Sequence, residues 1–513
     1  MELCGVLITL IITLVLLFWI WTKNVHSFWS RCGVDTPPYS YIWGHLRTPF
    51  FHGAPLGDRI KLIYNYLKSK GLKHGGFYVL FESWYVPMDL DVLKAILQTD
   101  FQHFVDRGGR VIEGDPLTAH LLNLKGGKWK RMRSKLTPAF SSGKMKMMFE
   151  TLLDCTHSLK KVMDQLEGEE VDIKDILGRF TTDIIGTCAF GIECNSLENP
   201  ENEFRQKGKA VFEKPKDFWM TIYEQFFIYF PNLMKFLNLT YIEKDLTNFF
   251  VGIARNTVEY REKNSVRRKD LMDLLIQLKN KGKLTDDEQF SIEDNANDNN
   301  RISMDDLAGQ AFLFFEAGFE TSSTAMTFCL YELAENKDIQ DKLRDEINLV
   351  LKRYDGKITY DAIMDMPYLE MVLQESLRKY PPIPAFRRTC TKAYKIPGTD
   401  IVLQKGSKVV IPVYGIHYDP QYYPDPDRFN PERFSDENRK NRHPCAFLPF
   451  GEGPRMCIGL RFGLMEAKVG IITLLKDYEF EVCSRTRRPF EWDPKNFVLS
   501  AKGDIWLRHK KID

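Results

Sequence analysis

One cysteine of the chain lies in a glycine-rich segment whose residue types suit metal chemistry. Residues 450–459 read FGEGPRMCIG, and the residues that follow predict a helix over 458–468. At a helix start, Cys457 is close to backbone N–H groups that favour its thiolate. A thiolate can bind haem iron and donates electron density that promotes cleavage of the O–O bond. Gly459 leaves room for a flat macrocycle, and Arg455 can reach a carboxylate of that macrocycle.

The remaining cysteines exclude other common kinds of site. The chain has ten cysteines in 513 residues, and no two form a CxxC pair. Zinc-ribbon and thioredoxin-like sites are therefore excluded. So low a count argues against a disulfide scaffold and indicates a reducing compartment. The alternative for Cys457 is a small buried residue in a turn.

Five residues of this segment carry a resemblance to a known family. Phe450, Gly453, Arg455, Cys457 and Gly459 match the pattern F-x-x-G-x-R-x-C-x-G, which resembles the haem-binding signature of the cytochrome P-450 superfamily. The resemblance covers nearly the whole chain. It implies a mainly α fold with a small β region (α+β), and haem b (iron protoporphyrin IX) with Cys457 as its metal ligand. The sequence between the motifs looks most like that of insect microsomal, xenobiotic-metabolising members of the superfamily.

Two more motifs resemble the family's structural and cofactor-binding positions. Glu375 and Arg378 are three residues apart on a predicted helix, which alone is typical of a surface ion pair. The resemblance implies that they form a buried network with Arg433 of the segment PERF, which fixes the loop that carries Cys457. It also implies that haem propionates are bound by Trp129, Arg133 and Arg388, in addition to Arg455. The alternative for Arg388 is a solvent-exposed arginine.

Residues 317–321 read AGFET within a predicted long helix. A glycine in the middle of a helix costs stability and usually has a reason. The resemblance implies that the helix opens there beside the iron, that Thr321 hydrogen-bonds the oxygen substrate, and that Glu320 relays protons from solvent. The alternative is that Thr321 bonds back to its own helix.

Glu316 departs from the family, which usually has an apolar residue there. Glu316 and Glu320 are one helical turn apart, so we expect repulsion and partial burial to raise the pKa of at least one. One hypothesis is that Glu316 projects into the substrate pocket and favours ligands with a basic nitrogen. The alternative is that it turns away and accepts hydrogen bonds from another helix. The other pocket candidates are Ala317, Phe386 and Leu499, and the expected walls are residues 115–122, 212–230, 313–321, 381–386 and 497–500.

The N-terminus predicts a membrane anchor. Residues 3–22 contain no charged side chain and are long enough to span a bilayer, which a cleaved signal peptide would not need. Lys23 and Arg31 follow, so the main part of the chain is expected on the cytoplasmic side of the endoplasmic reticulum membrane. Length alone predicts two or three domains. The resemblance implies instead an anchor at 1–22, a proline-containing linker at 23–45 and one haem domain at 46–513.

Periodicity places the elements around these motifs. Helices are predicted at 149–166, 271–281, 306–336 and 338–352, and strands at 76–80, 401–403, 408–413, 497–499 and 505–507. The acidic, asparagine-rich segment 285–300 predicts a solvated loop. The aromatic stretch 212–230 is interpreted equally well as pocket wall, bilayer contact or core.

The predicted activity is that of a haem-thiolate monooxygenase, which inserts one atom of O2 into a small lipophilic substrate. The chain has no flavin or nicotinamide fingerprint, so electrons must come from a partner. The resemblance implies an NADPH–cytochrome reductase, with a b-type cytochrome as a second donor, docked on a basic helix carrying Lys128, Lys130, Arg131 and Lys135. A net charge of +2 gives no indication of nucleic-acid binding. A reductase-independent isomerase or dehydratase and a haem-thiolate sensor remain as alternatives.

Overall fold

The chain is described by a computed structural model over residues 2–45, 55–212, 223, 226–227, 230–237, 239–284, 301–494 and 496–512. The predicted loop 285–300 and most of the aromatic stretch 212–230 lie outside these ranges. In chain order the described helices are α1 Glu2–His26, α2 Phe28–Arg31, α3 Leu56–Ser69, α4 Leu90–Lys94, α5 Gly126–Leu136, α6 Ser142–Gln165, α7 Ile173–Ile185, α8 Glu203–Phe212, α9 Pro231–Phe236, α10 Lys244–Lys263, α11 Leu271–Lys281, α12 Met304–Glu335, α13 Lys337–Arg353, α14 Tyr360–Met364, α15 Pro367–Lys379, α16 Val413–His417, α17 Asp436–Lys440 and α18 Leu460–Asp477.

The strands are short and fewer in residues than the helices. They are β1 His74–Val79, β2 Glu82–Pro87, β3 Glu170–Asp172, β4 Phe386–Thr389, β5 Tyr394–Lys395, β6 Val402–Leu403, β7 Lys408–Ile411, β8 Tyr478–Val482 and β9 Trp506–Lys511. The chain forms two compact units. The first unit contains Met1–Gly108, Pro384–Pro426 and Arg442–Met456, and the second contains Gly109–Ile383, Asp427–Asn441 and Cys457–Asp513.

The first unit is built on a four-stranded sheet in the order β1-β2-β7-β4. Strand β2 is antiparallel to β1 and parallel to β7, and β7 is antiparallel to β4. The apolar faces of these strands pack against α3, α4 and α16. Trp29 and Val34, which lie in the predicted linker, are also buried in a core of this unit.

The second unit is mostly helical, and α12 runs through its core. Ser303 caps α12 in a reciprocal hydrogen-bonded pair with Asp306, which satisfies the first N–H groups of the helix. Most side chains of α12 are buried against α7, α10 and α18, which explains why its apolar residues lie on every side of the helix. The sheet of this unit has the strand order β3-β9-β8.

Most of the predicted helices are confirmed, with ends shifted by a few residues. Helix α11 has the predicted bounds, α12 and α13 begin one or two residues before theirs, and α6 begins at Ser142 instead of 149. The helix after Cys457 begins at Leu460 instead of 458, because Gly459 forms its N-cap after a turn. Helix α1 contains a stretch, Cys4–His26, that is long and apolar enough to cross a membrane.

The strand predictions needed more correction. Strands β1, β6 and β9 overlap their predicted segments, but β7 ends at Ile411 because Pro412 caps the short helix α16. The predicted strand at 497–499 is wrong, since the Leu499 N–H donates to the Pro382 carbonyl at 2.9 Å and takes part in no ladder. Strand β9 pairs instead with β3 and β8, which alternation alone did not indicate.

Candidate active site

Cys457 lies in the second unit, on the turn that leads into α18. Its side chain is exposed and forms no disulfide. Beside it, a Cβ added to Gly459 would find only the Phe140 ring, at 3.9 Å, so space is open next to the backbone. Burial lowers the pKa of Arg133 and the charge of the Cys457 sulfur partly restores it, which places the two groups within electrostatic range. An accessible sulfur, an open backbone and a nearby cation are the features that a thiolate ligand of haem requires.

Helix α5 of the second unit carries two further residues that are candidates for binding the cofactor, Trp129 and Arg133. Trp129 is 5% exposed and Arg133 is half-buried. They are four residues apart, so both lie on one face of α5. The binding of a haem propionate by Trp129 and Arg133 stays a prediction.

The part of the signature before Cys457 belongs to the first unit. Gly453 has φ +74°, and a Cβ there would collide with the Leu97 carbonyl oxygen, so only glycine fits. Phe450 is half-buried just before this turn. Arg455 is 2% exposed and its Nε donates to the Val105 carbonyl at 2.9 Å. These contacts hold the turn in one conformation.

A cluster of three arginines also lies in the first unit. Arg388 is 1% exposed, which excludes the solvent-exposed alternative. Burial, followed by the charges of Arg107 and Arg455, lowers the pKa of Arg388 well below its ordinary value. The Arg107 guanidinium donates to the Arg455 carbonyl. Asp106 is the nearby carboxylate, at 4.0 Å from Arg455.

This cluster fits the carboxylates of a haem. The Arg388 Nε has no hydrogen-bond partner among the described residues, and the positive charges of Arg107 and Arg455 act on this buried guanidinium. An anion with two carboxylates, such as the propionate pair of haem b, would supply both charge and acceptors. Arg107 was missed by the sequence analysis, because an Asp-Arg pair in a loop has no distinctive spacing.

Helix α12 is less buried at the AGFET segment than on either side of it. Ala317 is exposed, and Glu316, Gly318, Glu320 and Thr321 are half-buried within a helix that is otherwise almost fully buried. The predicted opening of the helix is not observed, since α12 is continuous. Instead the Thr321 hydroxyl donates to the Ala317 carbonyl at 2.5 Å, as the alternative for this residue proposed. Such a bond leaves the hydroxyl oxygen able to accept a hydrogen bond from another group.

Gly318 has a packing role that the sequence did not indicate. A Cβ at this position would lie 2.5 Å from Cδ1 of Ile185 on α7. One residue later, the Phe319 carbonyl accepts a hydrogen bond from Thr181 of the same helix at 3.0 Å. Gly318 therefore lets the Ile185 side chain of α7 pack closely against α12, and a larger residue at 318 would have to displace that side chain.

Glu375, Arg378 and Arg433 come together in the second unit. Arg378 donates to both carboxylate oxygens of Glu375, at 2.8 and 2.9 Å, and neither side chain is exposed. Arg433 lies 3.3 Å from the same carboxylate. Glu375 also accepts from the Asn430 N–H at 3.0 Å, which ties α15 to the segment before PERF. The geometry is that of a buried network, in which two guanidiniums share one carboxylate, and not of a surface ion pair.

The residues predicted to line the substrate pocket differ in burial. Leu499 is buried and Ala317 exposed in the second unit, where Glu316 is half-buried. Phe386 lies in the first unit, with its ring 3.5 Å from the position of a Cβ on Gly451. Residues 115–122 are held against α12, since Gln310 accepts from the Leu121 N–H and donates to the Ala119 carbonyl. The direction of Glu316 stays a prediction.

Comparison with known proteins decides the family. The family model described as cytochrome P450 matches residues 38–508. The chain belongs to the cytochrome P450 family. It is 42% identical over 500 residues to a probable cytochrome P450 6a14 of Drosophila melanogaster, covering 95% of this chain and 96% of the relative. It is 40% identical to cytochrome P450 6a2 of the same insect, with 97% of each covered, and 38% identical to cytochrome P450 6k1 of Blattella germanica, with 99% and 98% covered.

Membership of the P450 family establishes the main chemistry. The protein has the mainly helical P450 fold with a small sheet region. Its cofactor is haem b with a cysteine thiolate ligand, and its activity is that of a monooxygenase. The family also needs an electron-transfer partner, a substrate and O2.

Proposed function

We propose that this P450 hydroxylates small lipophilic compounds and obtains its electrons from an NADPH-dependent flavoprotein reductase. In the reaction, a substrate C–H, O2, two electrons and two protons give an alcohol and one water. The observation that carries the proposal is the half-buried stretch of α12, where a hydroxyl and a carboxylate adjoin the exposed Ala317 inside an apolar helix. The described wall segments are largely apolar, with Leu117, Leu121, Leu313, Phe314 and Leu499 buried, which suits a lipophilic substrate.

Different residues of the chain have different roles in the reaction. The haem, bound through the Cys457 thiolate, supplies oxygen activation. We assign binding of its carboxylates to Arg107, Arg388, Arg455, Trp129 and Arg133. The Thr321 hydroxyl holds a proton at the site of oxygen reduction, and Glu320 passes protons from solvent towards it. The network around Glu375 keeps the segment that precedes α17 in place.

The basic surface of α5 supports docking of an acidic reductase. Lys128, Lys130 and Arg131 are exposed and Lys135 is half-buried, while Trp129 on the same helix is buried. Positive charge on an exposed helix speeds the encounter with a negatively charged partner, and the effect is weakened by salt. A b-type cytochrome carries the same acidic chemistry and is a second donor for this surface.

The apolar helix α1 supports attachment to the endoplasmic reticulum membrane, with the catalytic part on the cytoplasmic side. Its side chains from Val6 to Trp21 are exposed, and the basic residue Lys23 follows them. Such attachment places the enzyme where lipophilic compounds concentrate. Together with the insect relatives, this favours a role in xenobiotic metabolism.

One experiment separates the monooxygenase from its alternatives. NADPH consumption is measured with purified reductase, O2 and a panel of lipophilic compounds chosen by their low-to-high spin shift of the haem. We expect consumption and alcohol formation to rise together with compounds that shift the spin state. An isomerase or dehydratase would convert a hydroperoxide without reductase, and a sensor would bind compounds without consuming NADPH.

The substrate hypothesis for Glu316 has its own test. Glu316→Gln keeps the shape of the side chain and removes its charge. If Glu316 projects into the pocket, the variant binds cationic amines more weakly than neutral analogues of similar size. Equal changes for both ligand types would show that the side chain turns away.

A further inference from the structure

We propose that Lys174 is a positioning residue for proton delivery, because it orients the Glu320 carboxylate and links it to the segment 497–500. This inference rests on the proposed relay role of Glu320. Lys174 Nζ lies 3.6 Å from Glu320 Oε1, and the two side chains are 25% and 14% exposed. The same ammonium donates a hydrogen bond to the Ser500 hydroxyl. All three residues belong to the second unit.

Lys174 stands at the end of a stripe of α7 residues that contacts the AGFET segment. Lys174, Gly178, Thr181 and Ile185 are spaced by four, three and four residues and so share one face of α7. Ile185 contacts Gly318, and Thr181 donates to the Phe319 carbonyl. The next residue of α12 is Glu320, opposite Lys174. The contacts of Thr181 and Ile185 therefore hold the two helices together near the two charged groups.

The helix position of Lys174 is unfavourable for a cation. It lies in the first turn of α7, where the N-cap Asp172 accepts from its backbone N–H. The positive end of the helix dipole disfavours an ammonium there. A lysine at this place needs compensation from its side-chain partners. Glu320 and Ser500 supply it, which indicates that these contacts hold the ammonium in place.

The geometry distinguishes the two partners of Lys174. The contact to Ser500 is a hydrogen bond, and Ser500 is 2% exposed, so this end is rigid. The contact to Glu320 is an ion pair longer than a hydrogen bond. The carboxylate is therefore attracted to Lys174 but remains able to accept a proton from water and to release it towards Thr321. Without Lys174, the Glu320 side chain would lose its preferred direction and deliver protons less often.

Impaired proton delivery changes the product that is formed from O2. If proton delivery at the oxygen site is impaired, the two electrons and two protons leave with O2 as hydrogen peroxide, and no alcohol forms. The ratio of peroxide to alcohol therefore measures how well Glu320 is positioned. We expect the loss of this ion pair to change the ratio by up to about five-fold, which corresponds to about 1 kcal/mol.

The test compares Lys174→Gln, Lys174→Arg, Glu320→Gln and the double variant Lys174→Gln/Glu320→Gln in the haem-loaded full chain. Glutamine carries an amide N–H that can donate to Ser500, so Lys174→Gln removes the charge and shortens the side chain by one bond. The matched control is Lys161→Gln, which breaks the surface ion pair of Lys161 with Glu198. Each variant is first checked by the spectrum of its reduced carbon monoxide complex. Peroxide and alcohol are then measured per NADPH, and the Tm of each variant is measured without turnover.

We expect Lys174→Gln to raise the peroxide-to-alcohol ratio by about three- to five-fold. Lys174→Arg should restore the wild-type ratio, and the double variant should be no worse than Glu320→Gln. The Tm shifts of the two single variants should not add in the double variant, because both break the same ion pair. Lys161→Gln should leave the ratio unchanged.

Two contrary results have different meanings. If Glu320→Gln uncouples the reaction but Lys174→Gln does not, or if their Tm shifts add, Lys174 does not position Glu320 and the inference is overturned. If Glu320→Gln itself leaves the ratio unchanged, the proposed relay is wrong and the inference fails with it.

Discussion

Ile185 of α7 packs against Gly318 of α12 so closely that a Cβ at residue 318 would lie 2.5 Å from its Cδ1 and 3.0 Å from its Cγ1. The backbone next to the candidate oxygen site is thus held by its neighbour helix. The mid-helix glycine that the motif contains is accounted for by packing, whatever its role beside the cofactor.

Gly318→Ala is expected to lower the free energy of unfolding by about 1–3 kcal/mol, the usual range for overpacking, although alanine is the better helix former. Ile185→Val should recover part of the loss by making room. The matched control is Gly252→Ala in α10, where a Cβ meets nothing within 4 Å. That change should stabilise by up to about 1 kcal/mol. Urea unfolding of both variants is the measurement, and equal effects would contradict the packing argument.

Cys457→Ala is expected to abolish the strongly red-shifted Soret band that the reduced carbon monoxide complex of a haem-thiolate protein shows. Cys445→Ala provides the control, because Cys445 is fully buried and lies in an apolar cluster. The control variant should keep the band even if its Tm falls. A Cys457→Ala protein that retains the band would show that another residue binds the iron.

Thr321→Ala should leave haem binding and the substrate-induced spin shift intact. Since a positioned proton donor contributes roughly 10²–10⁴-fold to a proton transfer, most NADPH electrons should then appear in hydrogen peroxide. Thr321→Ser keeps the hydroxyl and should stay close to the wild type. Unchanged product yield per NADPH in Thr321→Ala would remove this residue from the mechanism.

Glu375→Ala is expected to cost about 3–5 kcal/mol, because Arg378 would remain buried without its carboxylate. A double variant, Glu375→Leu/Arg378→Met, removes both charges of this pair and should recover part of that loss, although Arg433 also loses its contact with Glu375. Unfolding followed by circular dichroism, with Lys161→Gln as a surface control, measures the difference. A single-variant cost below about 1 kcal/mol would place the pair among ordinary surface ion pairs.

Glu466 of α18 makes stability depend on pH. Complete burial raises its pKa to about 8 from an ordinary 4.5, and the neighbouring Ser322 hydroxyl opposes the rise only in part. The folded state therefore keeps a proton that the unfolded state releases. The stabilising effect is complete below pH 4.5 and is lost as pH rises towards 8, by about 1.4 kcal/mol per pH unit.

Glu466→Gln removes this titration. Its Tm is expected to exceed that of the wild type at pH 7.5 and to approach it at pH 5. The check is a pair of Tm profiles from pH 5 to pH 8. Parallel profiles for the two proteins would show that the pKa of Glu466 is not raised in the folded state.

Local residue patterns were enough to identify the chemistry of this protein. Cys457 in a glycine-rich turn, the Glu375–Arg378 spacing and the apolar run in α1 each follow from short-range sequence. They are visible because thiolate ligation, helix faces and membrane spans depend on residue type and on spacing within one element. Long helices such as α11 and α12 were found for the same reason, since their periodicity extends over several turns.

Tertiary structure decided what depends on residues far apart in the chain. The sequence assigned Gly318 to an opening of the helix, whereas the structure shows a continuous α12 and gives Gly318 the contact with Ile185. Arg107 joins Arg388, and Lys174 faces Glu320, only because separate segments pack together. The strand predicted at 497–499 failed because the Leu499 N–H found a partner outside any sheet. Hydrogen-bonding and charged groups pair with the groups that the fold brings close to them. No local sequence pattern specifies which residues those partners are.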